Sequence, residues 1–168
     1  MFNNIKILIM KKFYLFITFM FLITSVNSQI INDDFETYNT GAMAQQNPSV
    51  WRTWSAGYLP AESIEVVSNL TFSGSRSGFI GAGPGPQDAV LDLGNLISGQ
   101  YTLKFKMYIP SGRGAYFNIQ GELPNGTIDG VFNSGNITFN PDGIDPGIAT
   151  DDAGGYDFNY PERQWFDV

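Results

Sequence analysis

Glycine and proline crowd the part of the chain that follows Ser28. All 19 glycines and all 9 prolines lie there, and together they make up 28 of the 140 residues from Gln29 onward. Both disfavour long helices, because glycine loses the most backbone entropy on folding and proline lacks an amide donor. Nor does any apolar repeat of useful length with helical spacing follow Ser28. The sequence therefore predicts an all-β chain, an antiparallel β-sandwich or jelly roll of short strands.

Residues 1–28 have the layout of a secretory signal peptide. Lys11 and Lys12 precede an apolar run over residues 13–23, and small or modest side chains follow it. This order matches the positive, apolar and cleavage regions of such a signal. The run is shorter than the about 20 apolar residues that a spanning helix needs, so we expect cleavage after residue 28 and no membrane span afterwards. Met10 begins a complete signal by itself and is an alternative start.

Two missing residue types exclude several kinds of chemistry. The chain has no cysteine and no histidine, which excludes a Ser-His-Asp triad, a Cys-His nucleophile, an imidazole or thiolate zinc site, and disulfides. Sixteen acidic residues against nine basic ones give a net charge of −7, which opposes binding to nucleic acid. An exported chain of this composition must owe its stability to an apolar core or to bound calcium.

The clearest strand pattern runs from Gln100 to Pro110, where apolar and polar residues alternate. A second alternation over residues 115–120 follows the turn at residues 111–114, so we predict a β-hairpin with a four-residue loop. Weaker strand patterns cover residues 30–35, 63–68, 77–80 and 89–93. Residues 126–132 and 136–139 predict a second, shorter hairpin pair.

The last six residues, Arg163–Val168, start a strand-like alternation that stops without a turn or a polar tail. Natural proteins avoid an apolar strand at an unprotected sheet edge. We therefore predict that residues 29–168 are the N-terminal part of a β-sandwich domain, incomplete at the C-terminus, and that a longer protein completes it.

Four segments of the chain resemble one recurring domain. They are residues 33–38, 51–55, 99–120 and 160–166, and the domain is the concanavalin A-like or laminin-G-like jelly roll of secreted Bacteroidota-type proteins. The resemblance implies a jelly-roll fold and export, and it supplies no catalytic residue. Such proteins often end in a type IX secretion sorting domain. That route is implied only by the family, since the chain shows no sorting domain.

Three aromatic residues, Trp51, Trp54 and Tyr58, form the candidate ligand site. Flat aromatic rings stack on the apolar faces of sugars, while nearby polar groups bind the hydroxyls. The alternative is that the two tryptophans close the core or edge of the sandwich, which is the commoner role of large aromatic residues. The polar groups within reach in the sequence are Arg52, Asn47 and Gln46.

An acidic, glycine-rich stretch over residues 140–157 is the candidate metal site. Calcium takes six to eight oxygens from carboxylates and backbone carbonyls, and glycine-rich turns can wrap these around an ion. The spacing does not match an EF-hand loop. The alternative is a solvated loop in which Asp, Gly and Pro make turns. The candidate ligands of a structural calcium ion are Asp142, Asp145, Asp151 and Asp152.

These features together predict a secreted or cell-surface module that is not an enzyme and binds extracellular carbohydrate, a polysaccharide or a cell-surface component. Glycoside hydrolysis needs two carboxyl groups roughly 5–9.5 Å apart, whereas the two best strands offer lysines and amides on their polar faces. Two alternatives stay open. The chain could be a structural or adhesive spacer of a cell-surface protein, or an accessory domain of a secreted hydrolase whose catalytic part lies beyond residue 168.

Overall fold

Short strands make up most of the regular structure, as the density of glycine and proline predicts. The computed structural model describes residues 29–55, 57–81, 87–121, 132–151 and 155–168, without the side chains of residues 132–134 and 142. Within these ranges the all-β prediction is confirmed. The strands are β1 (Gly41–Ala42), β2 (Trp51–Thr53), β3 (Glu65–Val67), β4 (Ser77–Phe79), β5 (Ala89–Leu91), β6 (Lys106–Tyr108), β7 (Ala115–Gln120), β8 (Phe132–Phe139), β9 (Ile148–Asp151), β10 (Tyr156–Asn159) and β11 (Trp165–Asp167), with a single-turn 3-10 helix at Pro141–Gly143.

The strands pair into four small sheets, and every pairing is antiparallel, which confirms that part of the prediction. The orders are β1-β3-β4, β10-β9-β8-β7, β11-β6 and β2-β5. Residues Asp33–Val168 form one compact unit. A helix long and apolar enough to cross a membrane does not occur in the described ranges.

The main apolar core lies between β7, β8 and β9 on one side and β6 and β11 on the other. Phe139 is 1% exposed at its centre, together with buried Ile109, Ala149 and Tyr160. A second buried group forms beside β3, where Met43 and Val66 are fully covered. Alternate side chains of β7 and β8, among them Ala115, Phe117, Ile137 and Phe139, therefore face the main core.

The predicted hairpin between residues 100–110 and 115–120 is wrong. β6 begins only at Lys106 and pairs with β11, while β7 pairs with β8. Alternation of apolar residues identifies a strand face but not its partner. Here the C-terminal segment takes the place of β7, since Val168 and Phe105 exchange backbone hydrogen bonds of 3.0 and 3.3 Å beyond the ladder.

The predicted strand at residues 30–35 is also wrong. Phe35 has a φ of 66°, and its backbone N–H donates to Oδ1 of Asp33 at 3.0 Å, so this segment makes a turn. β3, β4 and β5 lie inside the predicted ranges 63–68, 77–80 and 89–93, and the C-terminal alternation is the strand β11.

Several other predictions concern residues outside the described ranges. They are the signal peptide over residues 1–28 with the alternative start at Met10, and the first part of the pattern over residues 126–132. The predicted hairpin between residues 126–132 and 136–139 is wrong where it is described, because Phe132 and residues 136–139 belong to one strand, β8.

Candidate functional site

The candidate ligand site is built on the two-stranded β2–β5 ribbon. Arg52 lies opposite Val90 in the register, and Trp51 lies opposite Leu91. Backbone bonds extend the pairing at both ends, from Asp92 to Val50 and from Trp54 to Asp88. Because successive side chains of a strand point to opposite faces, Trp51 and Arg52 lie on different faces of the ribbon.

Trp51 faces the N-terminal turn. It is half-buried, its indole Nε1–H donates to Oδ2 of Asp33 at 2.8 Å, and its ring centroid lies 5.8 Å from that of Phe35. The same Asp33 oxygen accepts a 2.7 Å hydrogen bond from the hydroxyl of Tyr38. Trp51 therefore holds the turn at residues 33–38 against β2.

The other face of β2 carries an ordered cluster of Arg52, Tyr58 and Asp92. The Nε–H of Arg52 donates to Oδ2 of Asp92 at 2.9 Å, and its Nη1 donates to the hydroxyl of Tyr58 at 3.2 Å. The guanidinium carbon also lies 5.7 Å from the centre of the Tyr58 ring. The Arg52 side chain is 36% exposed and that of Asp92 is 15% exposed, so the cluster is fixed and reaches the surface.

Of the three polar residues that the sequence places near the aromatics, Arg52 contacts Tyr58 through its side chain. Gln46 exchanges hydrogen bonds of 2.8 Å with the backbone of Asn39, and Asn47 donates from Nδ2 to the hydroxyl of Tyr38 at 2.8 Å. Both amides therefore shape the turn before β2. Trp54 is half-buried just past the end of β2, on the chain between Arg52 and Tyr58.

Two acidic residues beside this ribbon have pKa shifts of opposite sign. Burial and then the negative charge of Glu62 raise the pKa of Asp88 above its usual value. Burial also acts to raise the pKa of Glu62, but hydrogen bonds from Ser55 and Thr53 outweigh it and lower that pKa. Oε2 of Glu62 accepts the backbone N–H of Ser55 at 2.8 Å, which fixes the bend after β2.

The acidic stretch over residues 140–157 is organised by Asn140. This residue is 3% exposed and has a left-handed φ of 53°. Its Oδ1 accepts the backbone N–H of Asp145 at 2.9 Å, and its Nδ2 donates to the carbonyl of Arg113 at 3.2 Å. Sequence reasoning missed this role, although Asn tolerates the left-handed conformation and an Asn-Pro pair marks turns.

The predicted calcium ligands are only partly described. Asp145 is exposed after the 3-10 helix, and Asp151 closes β9 opposite Tyr156 and Ile137. The side chain of Asp142 and all of Asp152 lie outside the described residues. In the described part of the chain no three acidic side chains come together as a ligand set, so calcium binding stays a prediction.

Glu36 ties the turn at residues 33–38 to the loop before β4. Its Oε1 accepts the backbone N–H groups of Ser75 and Arg76, each at 2.9 Å, and its Oε2 accepts the hydroxyl of Ser75 at 2.8 Å. The bonds from Ser75, and then that from Arg76, lower the pKa of this exposed carboxyl below 4.5. A carboxyl whose pKa is lower in the folded state than in the unfolded state stabilises the fold at pH values above its unfolded pKa. This stabilisation is lost as the pH falls through the folded pKa.

We therefore expect the difference in free energy of unfolding between the wild type and Glu36→Gln to depend on pH. The wild type is the more stable above about pH 4.5, the unfolded value, and its advantage shrinks as the pH falls through the folded pKa. Urea denaturation at pH 7 and pH 3 measures both differences. Glu65→Gln, at an exposed position of β3, is the control, and an equal difference at both pH values would contradict the role of Glu36.

Comparison with known proteins identifies no family for this chain. No protein-family model matches the chain, and no curated protein or solved structure matches it significantly. A function can therefore be inferred only from the chemistry of the described residues.

Proposed function

We propose that this chain is an exported, non-catalytic β-sandwich module of the concanavalin A-like, jelly-roll type that binds extracellular carbohydrate. The observation that carries the proposal is the fixed cluster that Arg52 of β2 forms with Asp92 and Tyr58. Its partial exposure makes it accessible to a ligand, and the half-buried Trp54 follows on the same segment. The resemblance to secreted jelly rolls favours a place outside the cell or on its surface, with type IX export as the implied route.

The cluster has the donors that sugar hydroxyls need. A guanidinium group has five N–H donors in a rigid fork. Two of them are used by Asp92 and Tyr58, which leaves three without a protein acceptor in the described ranges. Because Asp92 and the tyrosine ring already hold the fork in place, a ligand would meet a preorganised group and lose less side-chain entropy on binding.

The test is retention on swollen cellulose, chitin and insoluble β-1,3-glucan. We expect the wild type to bind at least one of them, and Arg52→Gln and Trp54→Ala to weaken that binding about tenfold, which corresponds to roughly 1.4 kcal/mol of lost contacts. Arg113→Gln removes an exposed arginine at another turn and serves as the matched control.

Each variant is compared with the wild type by thermal melting, so that lost binding is scored only in a folded protein. Full retention by the folded Arg52→Gln and Trp54→Ala variants would place the ligand elsewhere. Failure of the wild type to bind any polysaccharide would contradict the proposed function itself.

A further inference from the structure

The β6–β11 ribbon turns one face to the core and the other outward. Met107 and Phe166, opposite each other in the register, pack against the core. Their neighbours on each strand must therefore point the other way. The outward face carries two directly opposed pairs, Tyr108 with Trp165 and Lys106 with Asp167.

Aromatic rings cover half of this outward face. The ring centroids of Tyr108 and Trp165 lie 5.7 Å apart. Phe72, from the loop before β4, packs its ring 5.9 Å from Trp165 in an edge arrangement. Phe72 is 52% exposed, and the other two rings are half-buried. We call these three residues, with Lys106 and Asp167, the ribbon cluster.

An ion pair of one positive and one negative side chain, with no net charge, forms the rim of the ribbon cluster. Nζ of Lys106 lies 2.6 Å from Oδ1 of Asp167, with the two side chains 37% and 82% exposed. The same ammonium lies 4.6 Å from the centre of the Phe72 ring, a cation–π contact that fixes its position. The rim thus offers ammonium donors and carboxylate acceptors side by side, next to an aromatic surface.

We infer that the ribbon cluster is a second carbohydrate site, specific for a neutral polysaccharide; this inference rests on the proposed function. The apolar face of a pyranose ring stacks on an aromatic ring, while vicinal hydroxyls can donate to the carboxylate of Asp167 and accept from Lys106. Because that ion pair is balanced and the chain has a net charge of −7, an acidic polysaccharide would gain little attraction here and meet general repulsion.

The size of the ribbon cluster favours a sugar over a protein partner. Phe72 is 52% exposed and the rings of Tyr108 and Trp165 are more buried. An aromatic side chain has about 150–250 Å² of surface, so the three rings leave on the order of 200 Å² exposed. A stable protein–protein interface covers about 800 Å² on each partner. One or two sugar rings match the smaller area.

The angles between the rings favour a single polysaccharide chain as the ligand over a flat crystalline surface. The Trp165 plane makes angles of 67° with Phe72 and 56° with Tyr108. Rings so steeply inclined cannot lie on one flat sheet of sugars, but any one of them can stack on a single pyranose. The ligand is therefore a single, hydrated polysaccharide chain.

The test is affinity electrophoresis of the purified protein in gels containing konjac glucomannan, a neutral probe, with polygalacturonate as the acidic probe. We expect glucomannan to retard the wild type and polygalacturonate to leave its mobility unchanged. Phe72→Ala should weaken glucomannan binding about tenfold and Asp167→Asn about fivefold. Phe79→Ala is the matched control, because Phe79 is 47% exposed on β4 away from the ribbon.

Trp165→Phe keeps a ring on β11 and protects the test against a variant that fails to fold. Weaker binding by Phe72→Ala and Trp165→Phe, with Phe79→Ala unchanged, supports the ribbon cluster. If Arg52→Gln alone weakens glucomannan binding, the ribbon cluster is overturned and the proposed function stands. Retardation by polygalacturonate alone would overturn the neutral ligand. No retardation by glucomannan, with the wild type still retained on an insoluble polysaccharide, would overturn the ribbon cluster and leave the proposed function standing. No binding to any polysaccharide in either test would overturn both proposals.

Discussion

Phe139→Ala is expected to lower the free energy of unfolding by about 3–5 kcal/mol, the usual cost of removing a buried aromatic side chain. The Phe139 ring is 1% exposed, and its centroid lies 5.2 Å from that of Tyr160 and 5.8 Å from that of Phe166. Phe117 and Phe158 contact it from the same sheet. Alanine would leave a cavity that these rings cannot fill without leaving their own contacts.

Urea denaturation followed by tryptophan fluorescence measures this loss. Ile97→Ala is the control, because Ile97 is 85% exposed and its side chain adds little to a core. We expect that control to stay within about 0.5 kcal/mol of the wild type. A loss below about 1 kcal/mol for Phe139→Ala would mean that the packing around β8 is looser than the structure shows.

Asp33→Ala is expected to destabilise the protein by about 2–3 kcal/mol, because it removes three hydrogen bonds to a charged acceptor. The Asp33 carboxylate accepts from the Phe35 backbone at 3.0 Å, the Tyr38 hydroxyl at 2.7 Å and the Trp51 indole at 2.8 Å. Its loss leaves the tyrosine and tryptophan donors partly buried without their acceptor. The turn at residues 33–38 would then come away from β2.

Asp34→Ala is the matched control for Asp33. Oδ1 of Asp34 accepts one exposed hydrogen bond, from the backbone of Glu36 at 3.1 Å, so we expect a loss below about 1 kcal/mol. The two variants are compared by thermal and urea denaturation. Equal effects of the two substitutions would show that Asp33 is not the anchor of the N-terminal turn.

Local patterns in the sequence predicted the class of fold because they depend on residues close in the chain. The density of glycine and proline favours short strands whatever the tertiary context. Alternation correctly predicted strands around Val66 and over residues 115–120, where one face must be buried. The antiparallel sheets follow from the same signals, since turns between short strands reverse the chain.

Strand partners were not predictable in the same way. β6 pairs with β11, which lies more than fifty residues further along the chain. The nearer strand β7 pairs with β8 instead. The alternation before Lys106 predicted a strand with a buried face, but β6 begins only at Lys106. Tyr101 and Leu103 are 53% and 39% exposed. Pairing is decided by the whole core, and a single strand pattern carries no information on it.

The candidate site was predictable in composition but not in geometry. Trp51, Arg52 and Tyr58 stand out as residues that could bind a sugar, yet only the structure assigns Trp51 to Asp33 and Arg52 to Asp92. Asp92 is forty residues from Arg52, and nothing local identifies that pairing. The sequence gives no sign that Trp165 contacts Phe72, since that contact depends on how the loop before β4 folds back.

The three tryptophans report directly on carbohydrate binding. The chain has three indole N–H groups, so a two-dimensional nitrogen–proton NMR spectrum assigns one signal to each of Trp51, Trp54 and Trp165. Oligosaccharides from partial hydrolysis of konjac glucomannan serve as the ligand, with cello-, chito- and laminari-oligosaccharides in parallel. We predict saturable shifts of the Trp54 and Trp165 signals, with a much smaller change for Trp51, whose N–H is held by Asp33. Three unmoved signals across all of these sugars would show that neither Trp54 nor Trp165 belongs to a carbohydrate site.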